Sequence, residues 1–139
     1  LCIDQGVDAQ LIYTGQTGWM QGYPYGFILD ATPNDFVSGE LEHALLTCIA
    51  QSAPALIFIE GQSAFRNPSG PCGAELILSG NAKHVIYQYA PFRQHFDGLP
   101  GCPLPSLKQE LSLIRAYGAE PIAITLNGRG GSREQLLAT

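Results

Sequence analysis

Four short apolar runs constrain this chain more than any other feature. Residues 9–14, 55–60, 84–89 and 121–126 are each about one strand long and rich in β-branched or aromatic side chains. None alternates cleanly between apolar and polar, which predicts strands buried on both faces, as in parallel sheets. Helical patterns separate them. Over residues 33–51, Val37, Leu41, Ala44, Leu45 and Cys48 share one helix face. Thr32 reads as the N-cap of that helix, Pro33 as its first residue and Asp35 as its third. A short helix is expected over 73–78, stopped at Gly80. A third is expected over 106–117, opened by a Ser106/Gln109 capping box and stopped by Gly118. Ser132 opens a last short one. Strands alternating with helices predict an α/β domain with a mostly parallel sheet. The length of 139 residues suits about one domain.

Composition removes several classes. Hydrophobic residues are 45% and charged residues 14% of the chain, too apolar for a disordered tail. The net charge is -5 and the only lysines are Lys83 and Lys108, which argues against nonspecific nucleic-acid binding. The longest apolar stretch, residues 53–59, contains Pro54 and is far short of the roughly 20 residues of a membrane span. Cys2, Cys48, Cys72 and Cys102 form no C-x-x-C pair, so a structural zinc site is not expected. Cys48 reads as a small buried apolar residue, and a reduced, cytoplasmic setting is the expectation. The first residue is Leu1 and the only methionine is Met20, which reads as a chain from which something was removed or as a piece of a longer protein.

In open parallel sheets, ligands bind beyond the carboxyl ends of the strands. The chemically capable residues collect there. Thr14, Gly15, Gln16, Thr17 and Gly18 follow the first strand as a loop whose backbone N–H groups suit an anion. Glu60, Gly61, Gln62 and Ser63 end the second, where a carboxylate can hold Mg²⁺ beside phosphates. Arg93 follows the third and suits a carboxylate or phosphate. Asn127 ends the fourth. Asp35, near a helix start, is explained by the helix dipole alone or by a metal-side or substrate-side role. His43 and His84 read as structural; His95 falls in a rim loop.

Taken in order, Thr14-Gly15-Gln16-Thr17-Gly18, Asp30-Ala31, Asp35-Phe36-Val37-x-Gly39-x-x-Glu42, Glu60-Gly61-Gln62, Pro68 and Leu126-Asn127 resemble the carboxyl-terminal domain of the DgcN-type family. Some members of that family are D-glutamate N-acetyltransferases. The resemblance covers nearly the whole chain and implies a P-loop NTPase-like domain related to dethiobiotin synthetase. It implies that the first strand, phosphate loop and first helix lie upstream of Leu1, since the chain has no G-x-x-x-x-G-K-[ST]. It implies Asp35 and Glu60 as catalytic, Glu60 as a Mg²⁺ ligand, Asn127 as the reader of adenine, and residues 14–18 and Gln62 around the substrate, to which the rim position of Arg93 adds a partner for a carboxylate or phosphate. Mg²⁺ with ATP or acetyl-CoA would be the cofactors, and a small acidic amino acid the substrate. The partner implied is the protein's own amino-terminal part, and the isolated piece is expected to be inactive, less stable or homo-oligomeric. The family usually reads Glu-Gly-Gln-Gly and then His-Pro; this chain has Ser63 and Asn67 at those places.

Two other readings stand beside it. A serine hydrolase would use Ser63 in Gly61-Gln62-Ser63-Ala64-Phe65, but Phe65 occupies the second glycine of the required elbow. A catalytically silent α/β binding module would need no phosphate loop.

Overall fold

The computed structural model describes residues 2–70 and 73–138. The expected strands form with small shifts of boundary. They are β1 (Ala9–Tyr13), β3 (Leu56–Ile59), β4 (His84–Tyr89) and β7 (Glu120–Leu126). Three more are too short or too irregular to have been read: β2 (Tyr25–Gly26), β5 (His95–Phe96) and β6 (Leu99–Pro103). The helices are α1 (Gln16–Met20), α2 (Asn34–Ser52), α3 (Gly73–Ser79), α4 (Leu107–Ala116) and α5 (Arg133–Leu137). No helix is long and apolar enough to cross a membrane among the described residues.

The chain divides into two compact units. The first comprises Leu1–Ser63 with Glu75–Asn81, the second Ala64–Ala74 with Ala82–Thr139. In the first, β1 lies centrally and pairs in parallel with β2 and β3. Its core is Ile12, Leu41 and Cys48, all fully buried, with Val37, Ala44, Tyr25, Phe27, Leu29, Leu76 and Ile77. Each fully buried Ile or Leu contributes about 1.5–3 kcal/mol. The predicted face of α2 is the one buried, with Leu45 half-buried at its margin. In the second unit β4 and β7 pair in parallel, β5 and β6 form an antiparallel hairpin, and Ile114, Phe96 and Ala119 are buried.

Several expectations are corrected. Residues 16–18 lie in α1, not in a loop, because buried Gly18 lets the turn pack onto Tyr13 where any Cβ would collide. Thr32 does not cap α2. Its Oγ1 donates to the Ile28 carbonyl at 2.9 Å instead. Pro33 takes the N-cap place, which moves Asp35 to the second helical position. The capping boxes at Ser106/Gln109 and Ser132/Gln135 are both formed. The strands are not covered on both faces: Phe58 is 38% exposed and Ile122 59%. These sheets are only two or three strands wide, and β3, β4 and β7 each keep an unpaired edge among the described residues.

Candidate functional site

The parallel register aligns Ile12 with Ile59, so the residues that follow, Thr14 and Glu60, emerge side by side at the carboxyl end of the sheet. Glu60 N–H donates to the Ile12 carbonyl at 2.9 Å and extends the ladder by one bond. The side chains then interlock. Thr14 N–H and Gly15 N–H donate to Glu60 Oε2 at 2.8 and 3.2 Å, and Thr14 Oγ1 donates to the Glu60 carbonyl at 3.0 Å. Thr14 is fully buried and Glu60 half-buried. The two backbone donors expected to cradle an anion are therefore engaged by the chain's own carboxylate. Glu60 Oε1 makes no bond to the chain among the described residues.

Gln62 belongs to this cluster, since its amide lies against Gly15 where a Cβ would collide with it. Gln16 and Thr17 are exposed on α1. Asp35 is exposed in the first turn of α2, and no hydrogen bond joins it to Glu60. Ser63 is exposed and holds a left-handed φ of 48°, uncommon for a side chain other than glycine. Asn67 accepts from Ser69 N–H and Oγ at 3.0 and 2.9 Å and so shapes a local turn. Cys72 lies outside the described residues. No group of three or more His, Cys, Asp or Glu side chains gathers into a metal cluster among the described residues.

The second unit has a cleft of its own at the carboxyl ends of β4 and β7. Asn127 N–H donates to the Tyr89 carbonyl at 2.7 Å and closes the pair. Ala90, Phe92, Arg93, Asp97, Asn127 and Arg129 line the cleft, of about 240 Å³. Arg93 and Asn127, apart in sequence, are thus brought together. Asn127 Oδ1 accepts from Arg129 N–H at 3.0 Å, an Asx turn that fixes which way the amide points. Arg129, which directly follows Asn127-Gly128, is legible in the sequence as a rim residue. Asp97 was missed, because it sits in the unread β5–β6 hairpin.

A buried ionic group in the same unit also went unread. Glu110, 2% exposed on α4, accepts from Arg66 Nε at 2.7 Å and from Tyr87 OH at 3.2 Å. It ties the segment around Arg66 to α4 and β4. Burial, then the neighbouring Glu110 charge, pushes the Tyr87 phenol well above the usual tyrosine range.

Residues 1–139 match the family described as "Domain of unknown function (DUF1611_C) P-loop domain". A search of curated proteins found none that matches. A crystal structure of a DUF1611 family protein from Anabaena variabilis superimposes with a TM-score of 0.84 at 23% identity. The match covers 99% of this chain and 42% of that one, so the chain spans less than half the length of that relative. At that identity the likeness speaks for the fold alone. With the match over all 139 residues and the α/β fold of mostly parallel strands, this chain belongs to the DUF1611 family, as its P-loop domain.

Proposed function

We propose that this chain is the distal part of a P-loop enzyme domain that handles phosphate or acyl groups at Glu60. The observation that carries the reading is the double tie between Thr14 and Glu60 at the carboxyl rim of a parallel sheet. The tie fixes Glu60 Oε2 by two backbone donors and leaves Oε1 as an oriented, half-buried anionic ligand. A lone fixed carboxylate fits Mg²⁺, which is commonly bound by one or two carboxylates with water and substrate phosphates completing the shell. It does not fit a cation caged by protein alone, for which the described residues offer no cluster. Bound there, Mg²⁺ would supply charge neutralisation to a phosphate. Glu60 would orient it, Thr14 and Gly15 would hold Glu60, and buried Thr14 would keep water from the back of the carboxylate.

The finer reading follows the DgcN-type resemblance. The substrate would be a small acidic amino acid, the donor ATP or acetyl-CoA, and the phosphate loop would come from polypeptide outside these 139 residues, in a dethiobiotin synthetase-like arrangement. Asp35 would act as a second carboxylate and Gln62 as a substrate-side amide. The test is an assay of the longer protein with D-glutamate, acetyl-CoA and ATP–Mg²⁺. Acetylation lost in Glu60→Gln while the fold persists supports the reading. Activity unchanged in Glu60→Gln, or no binding of either donor, overturns it. The second reading, a silent binding module, is favoured by one observation: Thr14 and Gly15 N–H are satisfied internally.

A further inference from the structure

We infer that the first unit takes an oxyanion only together with a divalent cation, and that Gln62 is the neutral donor that recognises the oxyanion. This dependence rests on the reading of Glu60 as a Mg²⁺ ligand. It adds a second binding residue and a coupling between two ligands.

The distribution of charge carries it. None of the chain's seven Lys and Arg side chains falls within the first unit, which holds most of the twelve Asp and Glu. Its one histidine, His43, stands exposed in the middle of α2. The backbone donors at the rim, Thr14 and Gly15 N–H, are engaged by Glu60 Oε2 at 2.8 and 3.2 Å. A free oxyanion arriving there meets the Glu60 charge, and the unit has no cationic Lys or Arg to answer it. A divalent cation on Glu60 Oε1 would reverse the local sign. The same oxyanion is then attracted where it was repelled.

Gln62 supplies the donor. Its amide is half-buried and makes no hydrogen bond among the described residues. It lies against Gly15, the residue whose N–H holds Glu60, so the carboxylate and the amide meet at one residue. Gly15 has φ of −140° and ψ of 167°, an extended conformation that any residue adopts. What demands glycine there is space, because a Cβ would overlap the Gln62 amide. An amide gives an oxyanion N–H donors and carries no charge. An arginine in its place would pair with Glu60 and compete with the cation.

The test is heteronuclear NMR titration of the chain with Mg²⁺ and with inorganic pyrophosphate, reading the N–H of residue 15 and the Gln62 side-chain amide. These signals report this rim and not the arginine-lined cleft of the second unit. Mg²⁺ alone should shift the residue 15 N–H in the parent and not in Glu60→Gln. Pyrophosphate alone should shift neither signal; with excess Mg²⁺ it should shift both. Each ligand should strengthen the other by about tenfold. Gln62→Ala should weaken pyrophosphate about tenfold with Mg²⁺ present, and more than it weakens Mg²⁺. Gly15→Ala should reproduce that loss, because its methyl displaces the amide while its extended backbone still folds. Circular dichroism of each variant reports its fold. If Mg²⁺ shifts nothing, or shifts Glu60→Gln alike, the reading of Glu60 fails and the coupling with it. If Mg²⁺ binds through Glu60 but pyrophosphate binds the rim equally well without it, the coupling is overturned while Glu60 stands. The same holds if Gln62→Ala binds pyrophosphate as tightly as the parent.

Discussion

Thr14 donates twice to Glu60, its N–H to the carboxylate and its hydroxyl to the carbonyl, across 46 residues of sequence. The pair is structural as well as chemical. Glu60→Ala strands two backbone donors and should cost about 2–3 kcal/mol, whereas Glu60→Gln keeps an acceptor and should cost about 1 kcal/mol. Thr14→Val, close to it in shape, should cost about 1–2 kcal/mol by leaving the carbonyl unpaired. Urea unfolding of the three variants checks this. A Glu60→Ala chain as stable as its parent would show that the carboxylate is not clamped.

The Arg66–Glu110 pair predicts an asymmetry. Glu110's side chain is 3% exposed and Arg66's 41%, so removing the arginine leaves a buried carboxylate, while removing the charge from Glu110 frees a solvated cation. Arg66→Ala should cost about 2 kcal/mol, discounted from the fully buried case because the guanidinium is partly solvated. Glu110→Gln should cost about 1 kcal/mol. A double-mutant cycle measures the coupling. Equal costs for the two single variants would contradict the burial difference.

Alkaline pH should unfold the second unit through Tyr87. Burial and the Glu110 charge raise its folded phenol above the ordinary tyrosine value of 10.0, so the folded state keeps the proton longer than the unfolded chain. Stability from this group is complete below pH 10 and is lost as pH rises above it. Tyr87→Phe removes that slope. Urea midpoints taken from neutral to strongly alkaline pH should fall more steeply in the parent than in the variant, and parallel curves would discount the shift.

Gly26 is the position least able to accept a side chain. Its φ is 144°, and a Cβ would strike the Tyr13 carbonyl oxygen and ring. Gly26→Ala should cost about 3 kcal/mol, from backbone strain and from loss of the β1–β2 approach. Thermal melts of the variant check it, and Gly22→Ala, with φ of 80° but open space around it, should cost less.

What the sequence shows and what it hides divides along the length of the signal. β4 is read to the residue because Val85, Ile86, Tyr87 and Tyr89 fall within six positions bounded by turn residues. β2 and β5 are two residues each, shorter than any periodicity. Both capping boxes are local patterns and were legible; the failed cap at Thr32 was not, because its hydroxyl had a competing carbonyl at Ile28. Thr14 and Glu60 were each legible as rim residues, but their bond depends on the register of β1 against β3, which no local pattern encodes. Asp35 was legible as a residue of a helix start, and it stands exposed in the first turn of α2. Glu110 carries no local signal in the sequence. Its burial follows from Arg66 and Tyr87, both distant in sequence.

The backbone passes between the two units after Ser63, after Ala74 and again after Asn81. The returning stretch brings Leu76 and Ile77 to the first unit's core, where the Ser38 hydroxyl donates to the Glu75 carboxylate and accepts from the Ser79 hydroxyl. Neither unit can then be excised as one uncut length of polypeptide. A boundary drawn at Ser63 would leave the first without its last helix, and a single protease cut between Ala64 and Gly70 would separate neither. During synthesis, the first unit stays unfinished until Asn81 has left the ribosome, by which time part of the second is already exposed.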